Sequence, residues 1–375
     1  MRKILFFDHT SILSGGERSL LDILTHLDQH RFKSILVIPQ KGPLYAKARK
    51  VGAEVIILPI CERLLKKRRE EVSFFSIFDM IEFLKASFRL KCIVKTEHPH
   101  VIHTNSQKAH LLSIIPSLIT NTPLVWQFRD ILKQRFLKKV VCGAGIIFTR
   151  RIIAISDAVK SQFKMFNSVP DKVVRIYNGV ELPRSGFNRC RKRNIHIGQI
   201  GQIARWKGQK YFIDAARLLK KNENLLFYII GDVLFWDEEY KNELLNSVKK
   251  YNLEKRVIFT GQMDDIGKLI EKLDIVVHPS VEPEPFGRVL IEAMSRGKPV
   301  VVSRIGAVPE IVTDGKTGLL VPPGNSVAIK EAIENLIRDK RLYRYLSRNG
   351  PKVVAERFQI SETVKKIEHL YADIL

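Results

Sequence analysis

The stretch His278–Val302, HPSVEPEPFGRVLIEAMSRGKPVVV, carries the residues best suited to chemistry. A β-rich run ends at His278, and a loop with Glu282 and Glu284 follows. A helical pattern then runs from about Arg288 to Arg296, with Gly297 as its stop signal. Gly287, just before it, permits a close backbone approach. The first N–H groups of a helix have no intrahelical partner and lie at the positive end of its dipole, so they suit a phosphate. Glu284 precedes this terminus and Glu292 lies about one turn inside it. On one continuous helix, carboxylates at that separation would stand ~12 Å apart. With Glu284 on the loop, the two can reach different parts of one elongated ligand. Taken alone, the pair describes a solvated loop acid and a helix-surface acid equally well.

The first half offers a sparser set. Gly15 and Gly16 open a helical pattern, where glycines let backbone N–H groups approach a phosphate or an acceptor. A tight turn would call for the same pair. His103, Thr104 and Asn105 end a β-rich run, the end at which open sheets bind ligands, although a histidine there is more often satisfied within a core. Arg129 and Asp130, after Trp126, suit an acceptor site or a mutual surface ion pair.

These residues fall at element ends within a repeated β–α alternation, the pattern of a parallel sheet. Candidate strands cover 3–7, 34–38, 55–58, 101–103, 124–127 and 152–156, then 195–200, 225–230, 257–260, 275–278 and 300–303. Helical periodicity covers 17–27, 211–220, 237–250 and 289–295. The polar, basic run 183–194 carries Pro and Gly, as linkers do. The expectation is an α/β chain of two Rossmann-like, doubly wound domains, 1–185 and 186–358, with 359–375 as a helix crossing back to the first domain. Ligands on such sheets bind at the carboxyl ends of the strands, and two facing sheets make a cleft.

The chain has 375 residues, 45% of them hydrophobic, which suits two globular cores and excludes disorder as the main state. The apolar stretches 111–115 and 140–148 are interrupted by Pro116 or carry Gly143 and Gly145, far short of the ~18 residues of a membrane span. Asp8 ends the apolar start, which therefore reads as a first strand rather than a leader. Cys61, Cys92, Cys142 and Cys190 are widely spaced, which suits a reducing cytoplasm and argues against a zinc site. The net charge is +24, and +17 of it falls in residues 1–190. Such an asymmetry implies a polyanionic partner: an anionic membrane, a phosphorylated substrate or nucleic acid; a basic surface that aids solubility is the plainer reading. Within 61–95 the KKRRE run is followed by Phe74, Phe75, Ile77, Phe78, Met80, Ile81, Phe83, Leu84 and Phe88. That mixture suits docking on an anionic membrane surface, and an internal helix with solvated flanks explains it as well.

EPFGRVLIEAMSRGKPVV resembles the signature of glycosyltransferase family 4, retaining nucleotide-sugar enzymes of GT-B fold. Further similarity lies in Gly15–Gly16–Glu17–Arg18, IIAISDAVK (152–160), IYNGVEL (176–182), GQIARWKGQ (201–209), VIFTGQ (257–262) and GAVPEIVTDGKTGLLVPPGN (306–325), in the family's order. The resemblance implies that Glu284 contacts sugar hydroxyls and Glu292 the ribose hydroxyls, since ionised carboxylates accept two or more hydrogen bonds. It implies that backbone amides at Phe286, Gly287 and Arg288 face the donor phosphates. Lys207 would neutralise charge growing on the leaving diphosphate. It places Asn105 where the family often has a histidine facing the donor sugar, and gives Glu284, Lys207 and Asn105 the catalytic roles. Gly16 falls to the donor and Gly15 and Arg129 to the acceptor. The family usually has Arg directly after the first Gly of the GQIARWKGQ block; here Gln202 stands there and Arg205 would supply the charge. After Ile230 the loop reads Gly231–Asp232–Val233, without the frequent second Gly.

The implied reaction keeps the anomeric configuration, with front-face attack and the donor's own phosphate oxygen taking the acceptor proton. Lys207 and amides would hold the phosphates with no metal and no other cofactor. The expected partners are a nucleotide diphosphate-sugar, a lipid-linked or phosphorylated glycan and an anionic membrane surface, and not nucleic acid. The setting would be cytoplasmic, peripheral on the inner membrane face, in cell-surface polysaccharide or lipopolysaccharide synthesis. Three other functions find partial echoes in the sequence. LSGGERSL (13–20) mimics an ABC-type ATPase signature, but Glu310 stands where the phosphate loop ahead of Lys316–Thr317 needs a glycine. A nucleic-acid binder would need a reading module around its basic clusters. A nucleotide-sugar epimerase of the same fold would leave no labelled sugar on an acceptor.

Overall fold

The computed structural model describes residues 1–66, 76–166, 171–183, 194–233, 237–263 and 265–375. The chain forms two units, Met1–Gly179 with Ile360–Leu375, and Val180–Gln359. It thus leaves the first unit after Gly179, ahead of the expected boundary at 185, and returns at Ile360. Most of the run read as a linker, 184–193, lies outside the described residues, as do 67–70, Phe74 and Phe75.

The first unit holds a seven-stranded parallel sheet in the order β3-β2-β1-β4-β5-β6-β7. Its strands are β1 (Arg2–Phe7), β2 (Phe32–Ile38), β3 (Glu54–Ile57), β4 (Val101–Thr104), β5 (Leu124–Phe128), β6 (Arg151–Ala154) and β7 (Val173–Arg175). Helices cover both faces of such a sheet, so a central strand is apolar throughout, and Ile4, Leu5, Phe6 and Phe7 are all fully buried. The order reverses between β1 and β4, the switch point at which strand ends diverge and leave room for a ligand.

Two helices finish this unit in contrasting ways. Ile360–Ala372 buries Ile360, Val364, Ile367, Leu370 and Tyr371 in the core under β1 and β2. Gly179 meets it closely: a Cβ there would lie 2.5 Å from the Ile360 Cα. Ile77–Glu97 starts at a capping box between Ser76 and Asp79 and buries Ala86, Ser87, Leu90 and Val94. Its opposite face leaves Ile77, Ile81, Leu84 and Phe88 in solvent, with Ile77 83% exposed. The helix is therefore neither internal nor polar on its outer side.

The second unit holds a six-stranded parallel sheet in the order β10-β9-β8-β11-β12-β13. Here β8 is Ile195–Ile200, β9 Leu225–Ile230, β10 Val257–Gly261, β11 Ile275–His278, β12 Val300–Ser303 and β13 Leu319–Val321. Its switch point lies between β8 and β11. Two parallel Rossmann-like sheets are what the sequence alternation predicts.

Candidate active site

The loops that follow β8 and β11 are locked together by their main chains. Val281 N–H donates to the Trp206 carbonyl at 2.9 Å. Gly208, with φ of +71°, packs where a Cβ would lie 2.0 Å from the Pro279 carbonyl oxygen. Gly306, with φ of +59°, lies against Glu284, a Cβ there falling 2.4 Å from both its N and its O, while Ala307 N–H binds the Glu284 carbonyl at 2.9 Å. Only glycine fits these two places. Their effect is to fix Glu284 and Lys207 relative to one another.

Three donors converge on one oxygen of Glu284. Lys207 Nζ lies 2.8 Å, His278 Nε2 3.1 Å and Ser280 Oγ 3.2 Å from Oε2. That saturates Oε2 and leaves Oε1 as the oxygen suited to a ligand hydroxyl. Burial alone would raise the Glu284 pKa, but the Lys207 ammonium and the His278 hydrogen bond outweigh it and hold the carboxyl well below its usual range. Burial, with the Lys207 charge, lowers the His278 pKa, so its ring is neutral near pH 7 and must carry its proton on Nε2 to donate. Beside this cluster the helix Arg288–Ser295 begins at Gly287, whose φ is +89°. Phe286 is buried edge-on to Phe358, and Arg288 Nε binds Glu292 Oε1 one turn on, at 2.7 Å.

The first unit has its own polar cluster at the ends of β1 and β4. Asn105 Nδ2 donates to Asp8 Oδ2 at 2.7 Å and to the Gly16 carbonyl at 3.4 Å. Arg129 Nε donates to Asn105 Oδ1, and Arg129 Nη1 to Asn178 Oδ1 at 2.7 Å. Ser19 Oγ shares that Asn178 oxygen at 2.9 Å. Asp8 is fully buried. Glu17, buried near it, closes the Ser14 capping box; burial, then the Asp8 charge, raises its pKa. His103 is a core residue: Tyr371 and Gln127 take its two nitrogens, and burial pushes its pKa down to about 3.

Comparison with known proteins gives these arrangements a family. The model for glycosyltransferase family 4 matches residues 13–184, and that for glycosyl transferases group 1 matches 187–353. The chain belongs to glycosyltransferase family 4. N-acetyl-alpha-D-glucosaminyl L-malate synthase of Bacillus anthracis is 33% identical over 56% of this chain, and the match spans about half, 53%, of that relative. The Escherichia coli UDP-Gal:alpha-D-GlcNAc-diphosphoundecaprenol alpha-1,3-galactosyltransferase is 24% identical over 100% of this chain and 97% of its own. The Anabaena protein HepE, crystallised with UDP and glucose, superimposes with a TM-score of 0.85 at 26% identity over 99% of this chain and 100% of its own. Both sheets and their helices thus follow the GT-B fold.

Within this family member, the residues singled out from sequence separate into groups. Lys207 and Glu284 meet directly, and Phe286, Gly287, Arg288 and Glu292 continue from them along one loop and helix. Arg205 does not join them: it forms a two-pronged pair with Glu243, at 2.9 Å for Nη1, over the Tyr240 ring on the exposed face of Glu238–Lys250. Asn105, Gly16 and Arg129 belong to the first-unit cluster. Gly15 is exposed, and Gly15 and Gly16 form the first residues of the helix Gly15–His26 rather than a positive-φ turn. Gly231, with φ of +129°, packs against the Gly201 carbonyl, and Asp232 binds Lys241 at 2.7 Å. Sequence reasoning missed His278, Ser280, Asp8, His9, Ser19 and Asn178. Asp8 could have been found, since it directly follows β1 at the switch point.

Proposed function

We propose that this chain transfers a hexosyl group from a UDP-sugar, with retention, to a lipid-linked or phosphorylated glycan during cell-surface polysaccharide assembly. The observation that carries the reading is the Lys207–Glu284 pair at the β8/β11 switch point, beside a helix N-terminus opened by Gly287. A diphosphate would lie against the amides at Gly287 and Arg288 with Lys207 as its counter-charge. Glu284 Oε1 would take a sugar hydroxyl and Glu292 the ribose. As the glycosidic bond breaks, its electron pair leaves on the diphosphate, where the lysine and the amides stabilise it. Lys207 and main-chain amides supply this stabilisation without a resident metal, so EDTA should leave the rate unchanged. The UDP complex of HepE and the UDP-Gal donor in the name of the Escherichia coli relative support the choice of nucleotide.

The acceptor side of the reading rests on surface chemistry. Ile77, Ile81, Leu84 and Phe88 form one exposed stripe, with Phe78 at its edge and Arg89, Lys91 and Lys95 along the same helix. Phe136, Val140 and Ile147 are exposed on Arg135–Phe148, beside Lys139. Apolar stripes with cations at their rims suit the interface of an anionic bilayer, where each cation contributes about 1 kcal/mol. No helix among the described residues is long and apolar enough to cross a membrane. The reading is peripheral docking on the cytoplasmic membrane's inner face. The name of the Escherichia coli relative, with its diphosphoundecaprenol-linked acceptor, supports it.

A thermal-shift and calorimetry screen of UDP-, GDP- and ADP-sugars tests the donor. UDP-hexoses should stabilise the chain, because a ligand of the native state raises apparent stability. No stabilisation by any of them would overturn the reading. Sedimentation with phosphatidylglycerol vesicles tests the surface: binding should weaken with salt, and absent binding at all salt concentrations would remove the membrane part. Nuclear magnetic resonance of the product's anomeric centre tests retention.

A further inference from the structure

The clamps at Gly208 and Gly306 act on the main chain; the direction of the Glu284 carboxylate is set by the groups that donate to it. Lys207 by itself is a poor anchor for this purpose. Its ammonium is a point charge on a flexible stem, and a bound diphosphate draws on the same charge. His278 and Ser280 have no such second task. His278 is 2% exposed and Ser280 0%, so neither is open to a ligand. His278 ends β11, in register with Val302 of β12, which gives the ring a rigid base. Its Nε2 lies 3.1 Å from Glu284 Oε2 and 3.2 Å from Ser280 Oγ, and that hydroxyl lies 3.2 Å from the same Oε2. The three polar atoms close a triangle, and turning any one away breaks two contacts. With its proton on Nδ1, the ring would set an Nε2 lone pair against Oε2, two acceptors in contact inside a buried site. With the proton on Nε2 it donates instead, and the carboxylate keeps two neutral donors whatever Lys207 does.

We propose that His278 and Ser280 are positioning residues for Glu284: they hold Oε2 so that Oε1 stays turned to the donor sugar when the Lys207 charge is shared with the diphosphate. Neither touches the substrate. Their action passes through the carboxylate, so it bears on the sugar and not on the nucleotide. This rests on the reading above in which Glu284 Oε1 takes a sugar hydroxyl, and it lies wholly within the second unit.

The test uses the full chain with H278L, H278Q, S280A and E284A. Calorimetry gives the affinity for UDP and for UDP-glucose, UDP-galactose and UDP-N-acetylglucosamine, and the quantity read is the ratio of UDP-hexose to UDP affinity. H278L and S280A should each lower that ratio roughly tenfold, as loss of a hydrogen bond to a charged group does. H278Q, whose amide N–H can stand in for Nε2–H, should stay within about threefold of wild type. E284A is the reference and should lower the ratio at least as far as H278L. In protein labelled with nitrogen-15 histidine, the ring signals missing from H278Q should show a protonated Nε2 and a bare Nδ1 near pH 7. S280A and the ring tautomer give the answer even where H278L does not fold. A ratio that E284A lowers and S280A or folded H278L leaves within about threefold of wild type overturns the positioning role. So does an H278Q as impaired as H278L, or a ring protonated on Nδ1. A ratio that E284A leaves unchanged, or a wild type that binds no UDP, defeats instead the reading of Glu284 on the sugar, and with it the task that His278 and Ser280 would serve.

Discussion

The two polar clusters solve the problem of holding charge in different ways. In the second unit Lys207, His278 and Ser280 all donate to one oxygen of Glu284, and the main chains beneath are clamped by Gly208 and Gly306. In the first unit Asn105 stands between Asp8 and Arg129, donating to the one and accepting from the other. The first arrangement is short, charged and set by backbone contacts. The second is a line of side chains from separate segments.

The largest break in this contrast should come from Lys207→Ala. It removes the cation from a buried carboxylate, a change that costs about 3–5 kcal/mol where the remaining charge stays buried. It should also slow UDP-sugar turnover by roughly 100- to 1,000-fold, as loss of a preorganised charge at a leaving group does. Denaturant midpoints and donor-release rates check the two parts. Turnover near wild type would sever Lys207 from the reaction.

An acid effect should follow. His103 has its pKa pushed down to about 3, and His110 is held well below its ordinary value, both by burial first. Such groups support the folded state fully above the unfolded value of about 6.5, and their support fades as the pH falls below it. At pH 5 the His103 share should be about 2 kcal/mol. Urea midpoints at pH 7 and 5 should therefore converge in His103→Gln relative to wild type. Glu284 is shifted downward as well, so its contribution is present above the ordinary glutamate range and is lost as the pH falls below it. An equal pH slope in His103→Gln and wild type would contradict the assignment.

Arg129→Ala should act on the linear cluster alone. Freed of the guanidinium, Asn105 and Asn178 lose a charged donor each, worth about 1.5–3 kcal/mol per hydrogen bond. Transfer should fall at least tenfold, the factor that about 1.4 kcal/mol corresponds to, with UDP affinity by calorimetry unchanged. Weakened UDP binding would show that the two clusters are not separable. Arg205→Ala should have the smallest effect, because its exposed pair with Glu243 faces solvent. Turnover falling as far as in Lys207→Ala would show that Arg205 leaves Glu243 during the reaction.

The contrast also explains what could be read from the amino acids. His278 to Arg296 is contiguous, so one strand end, one loop acid and one helix start announce themselves together. The first-unit cluster joins Asp8, Asn105, Arg129 and Asn178 from four separate segments, and no local pattern links them. Asn105 and Arg129 were visible as strand-end residues, but their partners were not. Sheet cores were legible wherever β-branched runs were long enough, as in Ile195–Ile200. The strands Val173–Arg175 and Leu319–Val321 were not: each has three residues and is fixed by pairing with β6 or β12 rather than by its own pattern. The pairing of Arg205 with Glu243 was not legible because a basic residue's spacing does not disclose an acid on a distant helix. The apolar content of 77–88 was plain, whereas the outward direction of its stripe depended on which face met the neighbouring helix at 114–120.

The helix Ile360–Ala372 places a constraint on biosynthesis. Tyr371 closes over Phe32 and His103, yet it leaves the ribosome only after the whole of 180–359 has been made. Until then the nascent first unit has an open groove lined by Leu24, Leu27 and Phe32 where that helix belongs. Closure of the first unit therefore waits until the residues of the second unit have been synthesised.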